Sequence, residues 1–180
     1  MKTVFHTLFD TALGPCALAW SEDGIVAGQL PEADRAATLA RLRKRFPETG
    51  EAEPPAAVRS AAEAIRALFA GAPADLSGVA LDMDGIGEFD RSVYAIAREL
   101  GCGETTSYGA IARRLGDVSL SREVGQALGR NPFAPIVPCH RVVAADGGSG
   151  GFSAAGGART KMRMLAIEKA KGVQQSLFDA

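Results

Sequence analysis

The sequence is short of cysteine and of the patterns that give cysteine a structural role. Its three, Cys16, Cys102 and Cys139, form no CxxC pair, which excludes a zinc site built on paired thiolates and argues against a disulfide framework. His6 and Cys16 lack the second pair of ligands a metal site needs, so both read as packing residues, and neither metal nor cofactor is expected. No stretch approaches the ~20 apolar residues of a membrane span. Met1-Lys2 and the apolar residues after it imitate a secretory signal, but His6 and Asp10 interrupt the apolar core, so a reducing cytoplasm is expected. Strong net charge is missing too: 20 Lys+Arg against 21 Asp+Glu leave −1. The glycine-rich stretch 146–157 is not followed by Gly-Lys-Ser/Thr, which excludes a phosphate loop.

What is present suits a soluble folded protein. A chain of 180 residues, 47% hydrophobic and 23% charged, is long enough for two small cores. The expected division is an α/β domain of 1–83, a second domain of 84–172 and a flexible tail of 173–180. Charge is divided unevenly: residues 1–85 hold 8 Lys and Arg against 12 Asp and Glu, whereas 86–172 hold 12 against 8. The second half is therefore the one that can approach phosphate, with modest, salt-sensitive affinity.

In the first half, Val4-Phe5-His6-Thr7-Leu8-Phe9, Ala17-Leu18-Ala19-Trp20 and Ile25-Val26-Ala27-Gly28-Gln29-Leu30 read as three strands of a meander, with turns at Gly14-Pro15 and Glu22-Asp23-Gly24. Pro31 opens a helix with Ala36, Leu39, Ala40, Leu42 and Phe46 on its apolar face. Arg41, Arg43, Lys44 and Arg45 form its solvated face, and Pro47 ends it. The stretch 47–55 reads as a linker. Val58, Ala62, Ile65 and Leu68-Phe69 recur at helical spacing, and 79–83 reads as a strand. Nothing in this half suggests chemistry.

Chemistry collects in Ile136-Val137-Pro138-Cys139-His140-Arg141-Val142-Val143. Pro138 lacks an N–H and fixes φ, so a regular element stops there and Cys139 is presented on a turn. A thiol attacks as thiolate, which needs a base, and His140 is the obvious one. Adjacent side chains seldom meet, so a bridging water is expected to carry the proton, with a carboxylate elsewhere orienting the imidazole. An isolated cysteine would read as a packing residue; this one has neighbours that give it a reaction.

Pro-Cys-His-Arg between aliphatic pairs closely resembles the active-site signature of the O6-alkylguanine-DNA alkyltransferases, the methylated-DNA–protein-cysteine methyltransferases. The resemblance is strong from residue 89 to 168 and weak before that. It implies an RNase H-like first domain and a mainly α second domain with a winged-helix-like helix-turn-helix. By pattern, Phe89, Val93, Ile96, Ala97 and Leu100 make a helical stripe closed by Gly101, with Tyr94 near the place of the family's usual Trp. Ser107 caps a helix over 108–115 that Gly116 ends, and Ser119 or Ser121 caps another that Gly129 ends. These two form a plain hairpin by spacing. Thr106-Ser107-Tyr108-Gly109 and Arg122-Glu123-Val124-Gly125 make it resemble the family's helix-turn-helix, whose second helix enters the minor groove. Gly125 and Ala127 would let the backbone approach, and Arg122 matches the arginine that fills the gap left by a flipped nucleotide, or makes a simple phosphate contact.

The resemblance assigns Glu168, near the end of a helix over 158–171 with Met162, Leu165 and Ala166 inward, to orient His140. It assigns Tyr108 to protonate the departing base, and carbonyls near Cys139 and Val142 to read guanine's amino edge. Asn131 can hydrogen-bond both sides of the Asn-Pro turn before Cys139. Counting forward from Cys139 puts Phe152-Ser153 against the base; counting back from the last helix puts Ala154-Ala155 there. The implied activity is transfer of an alkyl group from O6 of guanine, and O4 of thymine, in double-stranded DNA to Cys139, once per molecule, by a monomer without cofactor. Non-catalytic readers of alkylated DNA lack the cysteine that stands here, and cysteine hydrolases place Cys and His far apart. Finally, Gln174-Gln175-Ser176-Leu177-Phe178 resembles the short peptide by which bacterial replication and repair proteins dock on the sliding clamp; the alternative is a tail folded back on the protein.

Overall fold

Three strands with alternating burial build the start of the chain. In the computed structural model, which describes residues 1–148 and 150–171, β1 (Phe5–Thr11), β2 (Gly14–Ser21) and β3 (Gly24–Gln29) form the expected antiparallel meander. A short β4 (Gly50–Glu51), inside the stretch read as a linker, adds to β1 in parallel, giving the order β3-β2-β1-β4. β2 is covered on both faces. Ala17 and Ala19 pack with Ala27 and with Leu42 of α1 (Arg35–Arg43). Leu18 and Trp20, offset by one residue, point to the other face. There Phe9 lies under the Arg66 guanidinium of α2 (Ala56–Phe69), 5.3 Å from the ring centroid.

Several boundaries differ from the sequence reading. The first turn is Ala12-Leu13, and Gly14 opens β2 instead of turning the chain. α1 begins after Asp34, whose carboxylate accepts from the Ala37 N–H at 2.7 Å, and not at Pro31. It buries Thr38 and Leu42 and leaves Ala36 and Ala40 exposed: alanines carry too little apolar surface to set a helix's rotation, whereas the Thr38 hydroxyl can turn inward because it donates to Asp34 O at 2.8 Å. The expected strand at 79–83 is a single bridge between Ile25 and Leu81. Its next residue, Asp82, is drawn instead to the Ser21 hydroxyl at 2.6 Å and the Lys2 ammonium at 3.1 Å.

The chain divides into two units, Met1–Asp84 with Pro132–Ile136, and Gly85–Asn131 with Val137 onward. The chain first passes from one unit to the other at 84/85, and Pro132–Ile136 goes with the first unit. Gly28 is the reason. Its N–H donates to Pro132 O at 2.9 Å, and Phe133 bridges to it in parallel. A Cβ there would stand 2.1 Å from Ala134 O, so only glycine lets this segment lie against β3.

In the second unit α3 (Glu88–Ala97) ends at Arg98, short of Gly101, and Gly103 takes the positive φ of 81°. Tyr94 is fully buried and its hydroxyl donates to Ala127 O at 2.8 Å. β5 (Thr106–Ser107) pairs in parallel with β6 (Val142–Val143). Between them run α4 (Tyr108–Arg114), a 3-10 turn (Val118–Leu120), α5 (Ser121–Gly129) and a second 3-10 turn (Cys139–Arg141). Ser107 caps α4 as expected, accepting from Ala110 N at 3.0 Å. Neither Ser119 nor Ser121 caps α5: Asp117 accepts from Ser119 N, and the Ser121 hydroxyl donates to Val118 O. α6 (Ala158–Ile167) stops before Glu168, and Lys169 turns at φ 55°. Among the described residues no helix is long and apolar enough to cross a membrane, and no group of three or more His, Cys, Asp or Glu could hold a metal ion. The stretch Gln174 to Phe178 lies outside the described residues.

Candidate active site

Pro138 delivers Cys139 at the start of a one-turn 3-10 helix, held by Cys139 N to Val137 O at 2.8 Å and Arg141 N to Pro138 O at 2.9 Å. The thiol is half-buried and lines a cavity of about 920 Å³ whose walls include Tyr108, Arg122, Gly125, Phe152 and Ser153. Burial pushes the Cys139 thiol above its ordinary pKa; the Asn131 side chain, which hydrogen-bonds it, and the Lys161 charge pull the other way. Asn131 also donates from Nδ2 to Val137 O at 2.8 Å, so it braces the turn that carries Cys139.

Behind the thiol, His140 and Glu168 are buried and joined at 2.7 Å, Nε2–H donating to Oε1. Burial pushes His140 below its ordinary pKa, and Glu168 opposes this without reversing it. The imidazole is thus neutral at rest. With Nε2 committed to Glu168, Nδ1 carries the lone pair, and it has no hydrogen-bond partner among the described residues. Burial alone would raise Glu168; the His140 hydrogen bond and the Arg141 charge overcome it and hold the carboxyl at about 2. Arg141 grips both carboxylate oxygens, Nε to Oε2 at 2.9 Å and Nη2 to Oε1 at 3.0 Å, and donates from Nη1 to Leu100 O at 2.7 Å. The Gly103 N–H adds a further bond to Oε2 at 3.2 Å.

Two of these groups were not picked out from sequence. Arg141 stands in the quoted motif, but nothing in its spacing says that it turns inward. Lys161 is fully buried beside the cavity, 5.6 Å from the Tyr108 ring centroid and 6.0 Å from that of Phe152. Its ammonium donates to Val142 O at 2.6 Å and to the Tyr108 hydroxyl at 3.3 Å. Burial lowers it to about 8, with the Cys139 charge opposing. A signal existed: Lys161, Met164, Leu165 and Glu168 follow the i, i+3, i+4, i+7 rhythm of one buried helix face.

Of the other residues read from sequence, Tyr108, Arg122, Gly125, Phe152 and Ser153 line the cavity with Cys139; Ala154 and Ala155 are not among its lining residues. Thr106 and Ser107 form β5, where Ser107 serves as a cap. Val142 is fully buried, and its carbonyl accepts from Lys161. Ala127 is fully buried with its carbonyl on Tyr94; the expectation that it faces a partner is corrected, since it lies on the inward face of α5.

Tyr108 closes the set. Burial, and then the Cys139 charge, raise its phenol, so its proton stays in place as one to give. A thiol and a phenol share one cavity, and the residue after the thiol is a buried imidazole joined to a carboxylate. Residues 88–170 match the family model described as 6-O-methylguanine DNA methyltransferase, DNA binding domain. The methylated-DNA–protein-cysteine methyltransferase of Mycolicibacterium paratuberculosis is 40% identical over 132 residues, covering 73% of this chain and 78% of the relative. That of Methanothermobacter thermautotrophicus is 31% identical over 165 residues, covering 92% and 82%. The crystal structure of Mycobacterium tuberculosis O6-methylguanine methyltransferase superposes with a TM-score of 0.72 at 30% identity, covering 98% of this chain and 99% of that one. A Mycobacterium tuberculosis relative in complex with DNA gives 0.73 at 31%, covering 94% and 97%. The chain belongs to the methylated-DNA–protein-cysteine methyltransferase family.

Proposed function

We propose that this protein repairs DNA by moving an alkyl group from O6 of guanine, and from O4 of thymine, onto Cys139, once per molecule, and that it does so as a monomer in the cytoplasm. The observation that carries the reading is that Cys139 lines one cavity with Tyr108 and is followed directly by the buried His140–Glu168 pair. Glu168 holds His140, and Nδ1 takes the thiol proton through a water. The thiolate attacks the alkyl carbon in line; the S–C bond forms as the C–O bond breaks. Tyr108 gives its proton to the departing base, which leaves more readily neutral than as an anion. The thioether has no hydrolysable bond, so the site is spent.

The winged-helix-like reading of α4 and α5 supplies the DNA contact. Exposed Arg122 fills the stack left by the extruded base, and Gly125, beside Tyr108, lets backbone and nucleotide approach. Incubation with excess O6-methylguanine duplex should consume one equivalent and leave the Cys139 peptide one methyl heavier. Methyl on Cys16 or Cys102, or continuing turnover, would overturn the reading; binding without consumption would mark a reader of alkylated DNA. Arg122→Ala should slow repair in duplex far more than reaction with the free alkylated base. We also propose that Gln174-Gln175-Ser176-Leu177-Phe178 docks on a bacterial sliding clamp, with Leu177 and Phe178 as apolar anchors. A peptide of residues 172–180 should bind a purified clamp, and replacing both anchors by alanine should abolish binding; a silent wild-type peptide removes the proposal.

A further inference from the structure

The arginines of the helix pair are sorted by face. Arg114 forks onto Glu99, with Nη1 at 2.6 Å and Nη2 at 3.1 Å. Arg130 forks onto Asp90, with Nη2 at 2.8 Å and Nε at 3.1 Å. Arg113 and Arg122 line the cavity with Tyr108 and Cys139 instead. Both are exposed, and neither forms an ion pair with a described residue. Among the described residues no carboxylate lines that cavity. Among these four arginines, the two without an ion pair to a described residue are thus the two that line the cavity.

Arg122 already has a role above; Arg113 does not. Helical side chains lean toward the helix start, and Arg113 does so over Gly109, one turn earlier, its Nη1 lying 3.9 Å from where a Gly109 Cβ would stand. The guanidinium thus lies along the start of α4, the turn that also carries Tyr108. We infer that Arg113 holds a backbone phosphate of the strand whose extruded base Tyr108 and Cys139 receive. A planar fork with no carboxylate partner, at the mouth of a cavity walled by glycines and a phenol, is matched by a phosphate in charge and geometry. Arg113 is then a positioning residue: it fixes the strand so that Arg122 can enter the stack and the base can turn inward. The inference rests on the reading of this cavity as the DNA site.

The test is duplex binding by the full chain, over a salt series, with Arg113→Gln and Arg113→Lys beside wild type. Arg113→Gln should weaken binding on the order of tenfold at low salt, equally across flanking sequences, and reduce the slope of log affinity against log salt by about one. Arg113→Lys should restore the slope, since the charge returns, while recovering only part of the affinity because the fork is lost. Unchanged affinity and slope in Arg113→Gln overturn the inference. So does weakened binding with an unchanged slope, which would assign Arg113 to the shape of the cavity. Failure of wild type to bind duplex at all would remove the DNA reading itself, and this inference with it.

Discussion

Glu168 ties the setting of His140 to acid stability. Its folded carboxyl sits at about 2 against an ordinary 4.5, so the folded state binds fewer protons than the unfolded chain between those values. Its stabilising contribution is therefore complete above about pH 4.5 and is lost as pH falls toward about 2. Urea unfolding across that window should show wild type losing stability more steeply than Glu168→Gln, and the variant should also transfer more slowly at neutral pH, its imidazole less firmly oriented. Lys161 has the opposite sign. Its folded value of about 8 lies below the ordinary 10.5, so stability rises with pH between them as the buried charge is given up. Lys161→Met should abolish that rise and move the pH dependence of Cys139 alkylation by iodoacetamide to higher pH; coincident profiles would strip Lys161 of any influence on the thiol. At this scale Cys139 and His140 stood out because they sit in one motif, whereas Glu168 was reached only through the family resemblance. Arg141 and Lys161 did not stand out, because a charged residue reads as exposed until its partners are known: here Glu168 for one, a carbonyl and a phenol for the other.

At the scale of elements, legibility followed the strength of the local signal. α2 and α3 were found because Val58, Ile65 and Leu68, or Val93 and Ala97, mark a buried stripe. α1 was found with its rotation wrong, since a buried threonine stands where alanines seemed to point. β4 and the 79–83 bridge depend on long-range partners in β1 and β3 that no local pattern encodes. The start of α4 was set by its cap, and the next residue is Tyr108, proposed above as the proton donor. Ser107→Ala removes the acceptor for Ala110 N and should cost about 1 kcal/mol, seen as a fall in thermal midpoint of about 2–4 °C for a chain of this size. Transfer should slow as well, because the fraying turn holds the acid; an unchanged rate would show that the Lys161 contact alone places Tyr108.

At the scale of the whole molecule, charge and chain path matter more than any pair. The excess of cations in the second half gives long-range attraction to a polyanion, while ion pairs such as Arg114–Glu99 and Arg130–Asp90 quench part of it. Gly28 tests the chain path. Gly28→Ala would place a methyl 2.1 Å from Ala134 O, too close for any rotamer to relieve, so the Pro132–Ile136 segment must move. A loss of more than about 2 kcal/mol is expected, together with slower transfer, since Val137-Pro138-Cys139 follows that segment directly. A variant with wild-type midpoint and rate would show that the segment can shift freely.

That strap makes the two units topologically inseparable. The chain passes from one to the other at 84/85, back at 131/132 and out again at 136/137, so no single cut divides the gene into two self-sufficient halves. A fragment beginning at residue 85 would carry Phe133 and Ile136, buried in the intact protein, without β3, to which Phe133 bridges. It should be made as inclusion bodies or as a sticky, aggregating species. Mixing it with a separately produced fragment of residues 1–84 should restore solubility by strand complementation, in the manner of a split reporter whose halves are each incomplete.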